Sequence, residues 1–402
     1  MGALAYSQRW AAFFKRYDHW RYFFAEWNKI VYLKSYRKHH NTGALEKSLH
    51  HGIRWLIHSI SRGTDRGSGT YYHHSGWTSS YPETTGYIIP TLVRYAQNEE
   101  GPWAKNAEAA ALEAGKWLLE IQHSDGGWPG GYMHQKRGAV VFNTGQILRG
   151  MRALYLFTGE EKYKASAHRA ILWVWKQLDA EGKFSSNDFM GAVRVYGTYV
   201  VAPILEWLPH FEADKDGWEA KARLHLDWVL TQQQDNFWLA NCDNTEHKNH
   251  KPIIHTIAYT LDGLFDSGGL LKDEKYMNAA IGGAEILAQK FIERGLLHGR
   301  YDKRWHGSEA FIPTGGAQLA ILWHKIARAD TKAFWAEEAR SSMNVLLSVI
   351  ATNGARTALD VGGALQGSFP MWGRYETFGL PNWATKYMAD SLMNELNWSN
   401  ER

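Results

Sequence analysis

The chain has 402 residues, and its 45 basic and 41 acidic side chains leave a formal net charge of +4. An apolar content of 45% with 21% charged residues is typical of a folded globular protein and excludes a disordered chain. The near-neutral balance argues against nucleic acid as a partner, and the single cysteine, Cys242, excludes an intramolecular disulfide or a cysteine-based metal cluster. The 20 Trp and 20 Tyr favour a ligand with flat faces, such as a sugar.

The first predicted element is a basic, aromatic extension over residues 1–43. Residues 1–41 hold eight Lys or Arg against two acidic residues, which makes +6. Aromatic residues recur there at steps of three and four, which predicts a helical stripe. Two interpretations stay open: the stripe packs on the rest of the protein, or it docks on an anionic membrane surface. The stripe comprises Trp10, Phe13, Phe14, Tyr17, Trp20, Phe24 and Trp27.

From residue 44 onward the sequence repeats. Six threonines, at intervals of 59, 54, 58, 58 and 71 residues, each open an apolar helical run, and we expect them to cap the helix N-termini. Charged amphipathic helices lie between these runs, at about residues 44–60, 103–122, 161–178, 214–233, 274–293 and 332–351. Twelve helices in six hairpins predict an all-α fold, an (α/α)6 toroid with an inner and an outer ring, as one domain over residues 44–402. The threonines are Thr85, Thr144, Thr198, Thr256, Thr314 and Thr385.

One loop supports this architecture through a known repeat. Residues 114–128 read A-x-x-W-L-x-x-x-Q-x-x-x-G-x-W. The segment resembles the QW repeat of the squalene-cyclase and prenyltransferase toroids. Their activities are disfavoured, because the chain has no D-x-D-D carboxylate cluster and no Asp-x-Cys pair upstream of Cys242.

Other segments carry a second resemblance. Residues 81–90, 141–146 and 255–259 resemble a family of bacterial toroid proteins associated with surface-polysaccharide biosynthesis, and residues 125–129 are similar to the helical domain of glucuronyl C5-epimerases. The resemblance implies work on a glycan in the cytoplasm, on a free or lipid-linked oligosaccharide. The N-terminus shows no signal-peptide pattern and no apolar run spans a bilayer, so we expect a cytoplasmic protein, peripheral to the inner membrane if residues 1–41 bind lipid.

The binding site is predicted at one end of the barrel. The N-termini of the inner helices meet there with the long loops that follow the outer helices, and their dipoles favour an anionic ligand such as a carboxylated sugar. We expect the substrate to contact aromatic, amide and arginine side chains in these loops and first turns. The predicted binding residues are Trp77, Tyr81, Trp128, Asn143, Gln146, Arg194, Tyr259, Arg300, Trp305, Gln318 and Trp383.

The chemistry favoured by these residue types is proton abstraction at C5 of a uronate, as in a uronyl C5-epimerase. It needs no metal and no cofactor, because the carboxylate itself accepts the electron pair. The run Cys242, Asp243, His247, His250 and His255 has no recognised metal-ligand spacing. The predicted catalytic residues are Glu83, Tyr196, His255, Tyr301 and Tyr375.

Two alternatives remain open. One is a glycoside hydrolase or polysaccharide lyase on the same toroid, in which two carboxylates act together. The other is a glycan-binding scaffold without catalysis. The carboxylates available for hydrolysis are Glu83, Asp125, Asp302, Asp360 and Glu376.

Overall fold

The computed structural model of the protein describes residues 3–15, 19–36, 42–62, 65–188, 191–244, 250–330, 332–350 and 362–397. Fourteen α-helices lie in these ranges. They are α1 (Ala3–Phe14), α2 (His19–Tyr36), α3 (Thr42–Ser61), α4 (Pro82–Asn98), α5 (Pro102–Ile121), α6 (Val141–Thr158), α7 (Glu161–Trp175), α8 (Thr198–Glu206), α9 (Lys215–Thr231), α10 (Ile254–Leu271), α11 (Glu274–Arg294), α12 (Pro313–Ala329), α13 (Ala333–Ser348) and α14 (Asn382–Glu395).

Twelve of the helices form two concentric rings. The inner helices α4, α6, α8, α10, α12 and α14 contact one another in this order, and α14 closes the ring against α4. The outer helices α5, α7, α9, α11 and α13 each pack on the inner helix that precedes them, and α3 packs on α14. This is the (α/α)6 toroid that the repeat predicts. Among the described helices, none has both the length and the apolar character to cross a bilayer.

Glycines set how closely the inner helices approach. A methyl group on Gly86 of α4 would lie 2.7 Å from the Ile147 backbone of α6, and one on Gly145 of α6 would lie 2.5 Å from Val200 of α8. Gly263 of α10 faces the Thr198 backbone in the same way. Larger side chains at these positions would push neighbouring inner helices apart, so the glycines keep the central space narrow.

The repeated threonines do not cap the helices, and that prediction is wrong. The residues at the N-caps of the inner helices, such as Tyr81 and Val140, make no side-chain cap bond, and the threonines lie inside the first turn or at its start. Three of them instead accept a hydrogen bond from the backbone of the preceding loop. The donors are Ser68 N to Thr85 (2.8 Å), Trp128 N to Thr144 (3.0 Å) and Leu365 N to Thr385 (2.9 Å). The periodic hydroxyl therefore fastens each of these loops to the helix that follows it.

Short strands order three of the loops that precede inner helices. The hairpin β1 (Tyr71–Tyr72) and β2 (Gly76–Trp77) is antiparallel, with Tyr71 opposite Trp77, and β1 also pairs with β5 (Gly379–Leu380), with Tyr71 opposite Leu380. Strands β3 (Arg300–Tyr301) and β4 (Gly307–Ser308) form a second antiparallel pair. The loop before α14 is thus tied to the loop before α4, where the ring closes.

Helices α1 and α2 pack on this same region through a small apolar cluster. Phe13 stacks on Phe378 with ring centroids 4.2 Å apart, and the Tyr6 hydroxyl donates to the Trp372 carbonyl at 2.6 Å. Residues 37–41 lie outside the described ranges, and α3 begins at Thr42, one residue before the predicted boundary; the division into residues 1–43 and 44–402 stays a prediction.

Candidate functional site

A cavity of about 260 Å³ lies at the end of the toroid where the inner helices begin. The first turns of α4, α6, α10 and α14 line it, and segments of the loops at residues 131–137 and 375–376 form its walls. The positive ends of four helix dipoles therefore face one space, which favours an anionic ligand.

Glu83 is the carboxyl group of the α4 first turn, and it lies in the cavity lining while only 7% exposed. Burial raises its pKa from 4.5 to about 7, although a hydrogen bond with the Tyr81 side chain opposes the rise. A carboxyl group with this pKa holds and releases a proton with nearly equal ease at neutral pH. Glu83 is therefore suited to proton transfer.

Tyrosines surround this carboxyl group. Burial raises the pKa of Tyr81, Tyr196, Tyr259 and Tyr375 far above the ordinary value of a phenol. Each hydroxyl therefore keeps its proton at neutral pH and acts as a hydrogen-bond donor rather than as a base. The Tyr375 hydroxyl also accepts a hydrogen bond from Nε1 of Trp383 at 3.1 Å, which holds the ring in place.

His255 lies between two of these rings. Its imidazole centroid is 5.2 Å from that of Tyr375 and 5.5 Å from that of Tyr259, and among the described residues neither ring nitrogen has a hydrogen-bond partner. Burial and the positive charge of Arg300 lower its pKa to about 3. The ring is neutral at pH 7, so it offers one donor and one acceptor to a ligand and is a weak base.

A second carboxyl group, Glu376, also lines the cavity, from the loop before α14. It accepts a hydrogen bond from the Tyr72 hydroxyl, and burial raises its pKa. Its backbone φ is +47°, a left-handed conformation that costs a non-glycine residue about 1–3 kcal/mol. The guanidinium of Arg9 on α1 lies over the Tyr72 ring, 5.7 Å from the centroid. The N-terminal helix therefore contacts a residue that is hydrogen-bonded to the cavity lining.

Two groups of paired charges lie on the inner helices, beyond the cavity lining, and are mostly buried. The Lys325 ammonium group pairs with Asp262 and Asp266 at 2.7 Å each, and Lys386 pairs with Asp390 at 2.8 Å. Lys386 also lies 3.9 Å from the ring centroid of Tyr387, which neighbours Tyr259. The Lys325 bonds join inner helices α10 and α12, whereas the Lys386–Asp390 pair lies within α14.

The structure brings half of the predicted site residues together. The residues that line the cavity are Tyr81, Glu83, Asn143, Tyr196, His255, Tyr259, Tyr375 and Trp383. Most of them lie in, or a few residues before, the first turn of an inner helix; Tyr259 lies in the second turn of α10, and Tyr375 lies on the loop before α14.

The predicted arginines do not line the cavity. Arg300 is held by Asp243 and by the Lys251 carbonyl at 2.8 Å, so it acts on the site only through its charge. Arg194 lines a separate hollow with Gln232 and Asn241.

Three predicted aromatic residues also lie elsewhere, because their polar atoms bond within the loops. Nε1 of Trp128 donates to the Leu118 carbonyl at 2.7 Å, and the buried Tyr301 hydroxyl accepts from His298 N at 2.9 Å. Nε1 of Trp305 donates to a neighbouring loop carbonyl at 2.9 Å. These residues hold the loops together.

The remaining predicted binding residues are outside the cavity as well. Trp77 stacks on Trp55 of the outer helix α3. Nε2 of Gln146 donates to the Tyr199 carbonyl at 2.9 Å, and Gln318 is buried in α12 beyond the cavity lining.

Two of the other carboxylates considered for hydrolysis organise turns. Asp125 accepts from Gly127 N and from Nε1 of Trp173, and Asp302 accepts from the amides of Arg304 and His306. Asp360 lies outside the described residues.

Sequence reasoning missed Tyr132 and Tyr87 and did not select Arg137, all of which line the cavity. Tyr132 and Arg137 follow the loop glycines at residues 130–131, and a search for polar residues throughout the loop before α6 would have found them. Tyr87 lies one turn beyond Glu83 on α4, which is the signal that could have identified it.

Metal ligands are not grouped in the described part of the chain: no set of three or more His, Cys, Asp or Glu side chains there could hold an ion. In the run from Cys242 to His255 that the sequence analysis considered for metal binding, Cys242 is buried against Thr260 and Asp243 pairs with Arg300. His247 lies outside the described residues.

The sequence matches no protein-family model and no curated protein. Solved structures do resemble the fold. An unsaturated glucuronyl hydrolase specific for heparin superimposes with a TM-score of 0.70 at 15% identity, covering 89% of this chain and 98% of its own. The unsaturated glucuronyl hydrolase of Streptococcus agalactiae gives 0.68 at 11% identity, covering 90% and 94%, and that of Bacillus sp. GL1 gives 0.66 at 12%, covering 87% and 95%. At such identity the likeness establishes the fold, an (α/α)6 toroid, and confirms that prediction.

Proposed function

We propose that this protein is an enzyme that acts on an anionic, uronate-containing glycan and transfers a proton at C5 of the uronate through Glu83. The observation that carries the proposal is a buried carboxyl group with a pKa of about 7 in a cavity lined by tyrosine hydroxyls and helix N-termini. The fold likeness to unsaturated glucuronyl hydrolases is consistent with a substrate of this class.

In the proposed step the C5–H bond breaks, the proton passes to the Glu83 carboxylate, and the electron pair enters an enediolate on the sugar carboxylate. Arg137 in the cavity lining and the positive ends of α4, α6, α10 and α14 would stabilise the developing charge. Tyrosine hydroxyls would donate hydrogen bonds to the enediolate oxygens. Transfer of a proton from another group to C5, on the other face of the ring, completes epimerisation; that group then regains a proton from water, and Glu83 releases its proton to water.

With Glu83 as the base, the other predicted catalytic residues take different roles or none. His255 is neutral and weakly basic, so we assign it to hydrogen bonding with sugar hydroxyls. Tyr196 and Tyr375 are protonated, and we assign Tyr375, next to His255, as the group that returns the proton. Tyr301 has no role in this step, because its hydroxyl is bonded outside the cavity.

Glu376 favours a second candidate function. Two carboxyl groups with raised pKa values line one cavity. Most glycoside hydrolases need such a pair of carboxyl groups to cleave a glycosidic bond. In that case Glu83 would protonate the leaving oxygen and Glu376 would activate water. The hydrolytic activity named for the structurally similar proteins gives this alternative weight.

One experiment separates these functions. The purified protein is incubated in D₂O with free and lipid-linked glucuronate-containing oligosaccharides, and the products are examined by NMR. Deuterium at C5 supports epimerisation, an unsaturated product indicates elimination, and a new reducing end indicates hydrolysis. Binding of the glycans without any product would leave the scaffold interpretation and overturn the proposal.

The variant that tests the assignment is Glu83→Gln, which keeps the shape of the side chain and removes the titratable group. We expect turnover to fall by ~10²–10⁴-fold, the usual contribution of a positioned general acid or base. Glu113→Gln is the matched control, because Glu113 is exposed on the outer helix α5, where it pairs with the exposed Arg66. Equal activity of the two variants would overturn the role of Glu83.

A further inference from the structure

Helix α2 uses one face to attach to the toroid. Tyr22, Glu26 and Lys29 are buried on this face. The Glu26 carboxylate accepts from Nε2 of Gln366 at 2.5 Å and from Met371 N at 2.9 Å, and the Lys29 ammonium donates to the Ile350 carbonyl at 2.8 Å. Glu26 and Lys29 also pair with each other at 3.1 Å, so their charges cancel within the contact.

The opposite face of α2 is apolar and exposed. Trp20, Phe24, Trp27 and Val31 follow one another at steps of four, three and four residues, which places them on one side of the helix. They are 42, 58, 52 and 58% exposed. The large exposed apolar residues of the toroid, such as Leu172 and Leu224, belong to different helices. Four on one helix face form a patch of the kind that marks an interaction site.

The segment that contains this patch is positively charged. In sequence, residues 1–41 carry +6, and the only described acidic residue among them, Glu26, is buried on the opposite face. Lys15 and Arg21 are exposed next to the aromatic residues. Aromatic and aliphatic side chains flanked by cations are the chemistry of a helix that lies in the surface of an anionic bilayer.

We propose that the exposed face of α2, defined by Trp20, Phe24, Trp27 and Val31, docks the protein on an anionic phospholipid membrane. The two interpretations of the sequence are then not exclusive: one face packs on the toroid and the other meets lipid. A second copy of the chain is a less favourable occupant, because pairing two such faces would bring two +6 segments together.

The exposed face of α2 belongs to a segment that packs close to the candidate site. Trp10 and Phe23 contact Trp372, with ring centroids 5.9 and 5.1 Å apart, on the same loop whose Tyr375 and Glu376 wall the cavity. The proposed lipid-binding helix thus contacts the loop that contributes Tyr375 and Glu376 to the cavity lining.

The test is co-sedimentation of the full-length protein with vesicles of phosphatidylcholine alone or with about 30% phosphatidylglycerol. We expect binding to the anionic vesicles, weakened when salt is raised from about 0.1 M to about 0.5 M. Phe24→Ser/Trp27→Ser should lower the partition coefficient by roughly tenfold or more, because two large apolar side chains leave the interface. Both residues are exposed, so the variant should keep the circular dichroism and melting temperature of the wild type.

The matched control is Leu270→Ser/Ile292→Ser, which removes two apolar residues that are 47 and 56% exposed on the toroid and should bind as the wild type does. Absence of binding to anionic vesicles, or equal binding by both double variants, would overturn the proposal. So would a wild-type dimer in analytical ultracentrifugation that Phe24→Ser/Trp27→Ser dissociates. The assay needs no turnover, so its failure would leave the proposed function standing.

Discussion

Replacing Glu83 with glutamine measures how much unfolding free energy the wild-type protein loses, as the pH rises, because this carboxyl group is buried in the cavity. Burial raises its pKa from 4.5 to about 7, so between these values the folded state binds a proton that the unfolded state has released. The stabilisation from the protonated group is complete below pH 4.5 and is lost as the pH rises through 7. The wild-type protein should therefore lose stability from this group across that window, and Glu83→Gln, which does not titrate, should not.

The size of the effect follows from the shift in pKa. A difference of about 2.5 pH units corresponds to roughly 3 kcal/mol of unfolding free energy, as an order of magnitude. The unfolding entropy near the midpoint scales with chain length, and for 402 residues it is about 0.8 kcal/mol/K. The melting temperature of Glu83→Gln should therefore rise by roughly 3–4 °C relative to the wild type between pH 5 and pH 8.5.

Thermal unfolding followed by circular dichroism at both pH values is the assay. Glu113→Gln should show no such pH-dependent gain, because its side chain is 55% exposed. If the gap in melting temperature between Glu83→Gln and the wild type is the same at both pH values, the carboxyl group is ordinary. The catalytic assignment would then lose its physical basis.

Three other changes test the remaining arguments. Lys325→Met should cost up to roughly 3–5 kcal/mol of unfolding free energy in urea, because the buried Asp262 and the partly exposed Asp266 lose the cation that they share; replacing both by asparagine in the same chain should recover much of the loss, and no recovery would contradict the argument. Thr144→Val should cost roughly 1–3 kcal/mol in the same assay, since a buried loop amide loses its acceptor, and an unchanged midpoint would contradict that role. His255→Asn should lower turnover without moving either limb of the pH profile between about pH 5 and 9, because the imidazole is already neutral there; a displaced limb would show that His255 titrates in the reaction.

The sequence predicted the architecture because every hairpin faces the same physical problem. Each inner helix is surrounded by other helices and must be apolar on most sides, whereas each outer helix buries only one apolar stripe. The two kinds of helix therefore alternate visibly along the sequence. The outer-helix bounds were close: residues 274–293 were expected and Glu274–Arg294 is observed. The role of the repeated threonine was not predictable, since an N-cap and an acceptor for a distant loop amide have the same residue type and spacing.

Site residues on inner-helix first turns, such as Glu83, Asn143 and His255, followed from that periodicity. Residues on the loops did not. Arg300 and Trp305 have the residue types of a sugar site, but each is bonded to a neighbouring loop. Which loop side chains face the cavity depends on contacts between segments about 50 residues or more apart, and local pattern carries no information on those contacts.

The sequence by itself thus determined the ring of hairpins, the end of the barrel that holds the cavity, and the basic aromatic character of the N-terminal segment. The tertiary structure decided which side chains meet in the cavity and how far each of them is desolvated. It raised the pKa of Glu83 and lowered that of His255, and so reversed which of the two is fit to exchange protons near neutral pH. It also divided α2 into an attached face and an exposed one. The physical reason is the same in each case: periodicity is a property of neighbouring residues, whereas desolvation depends on everything packed around a group.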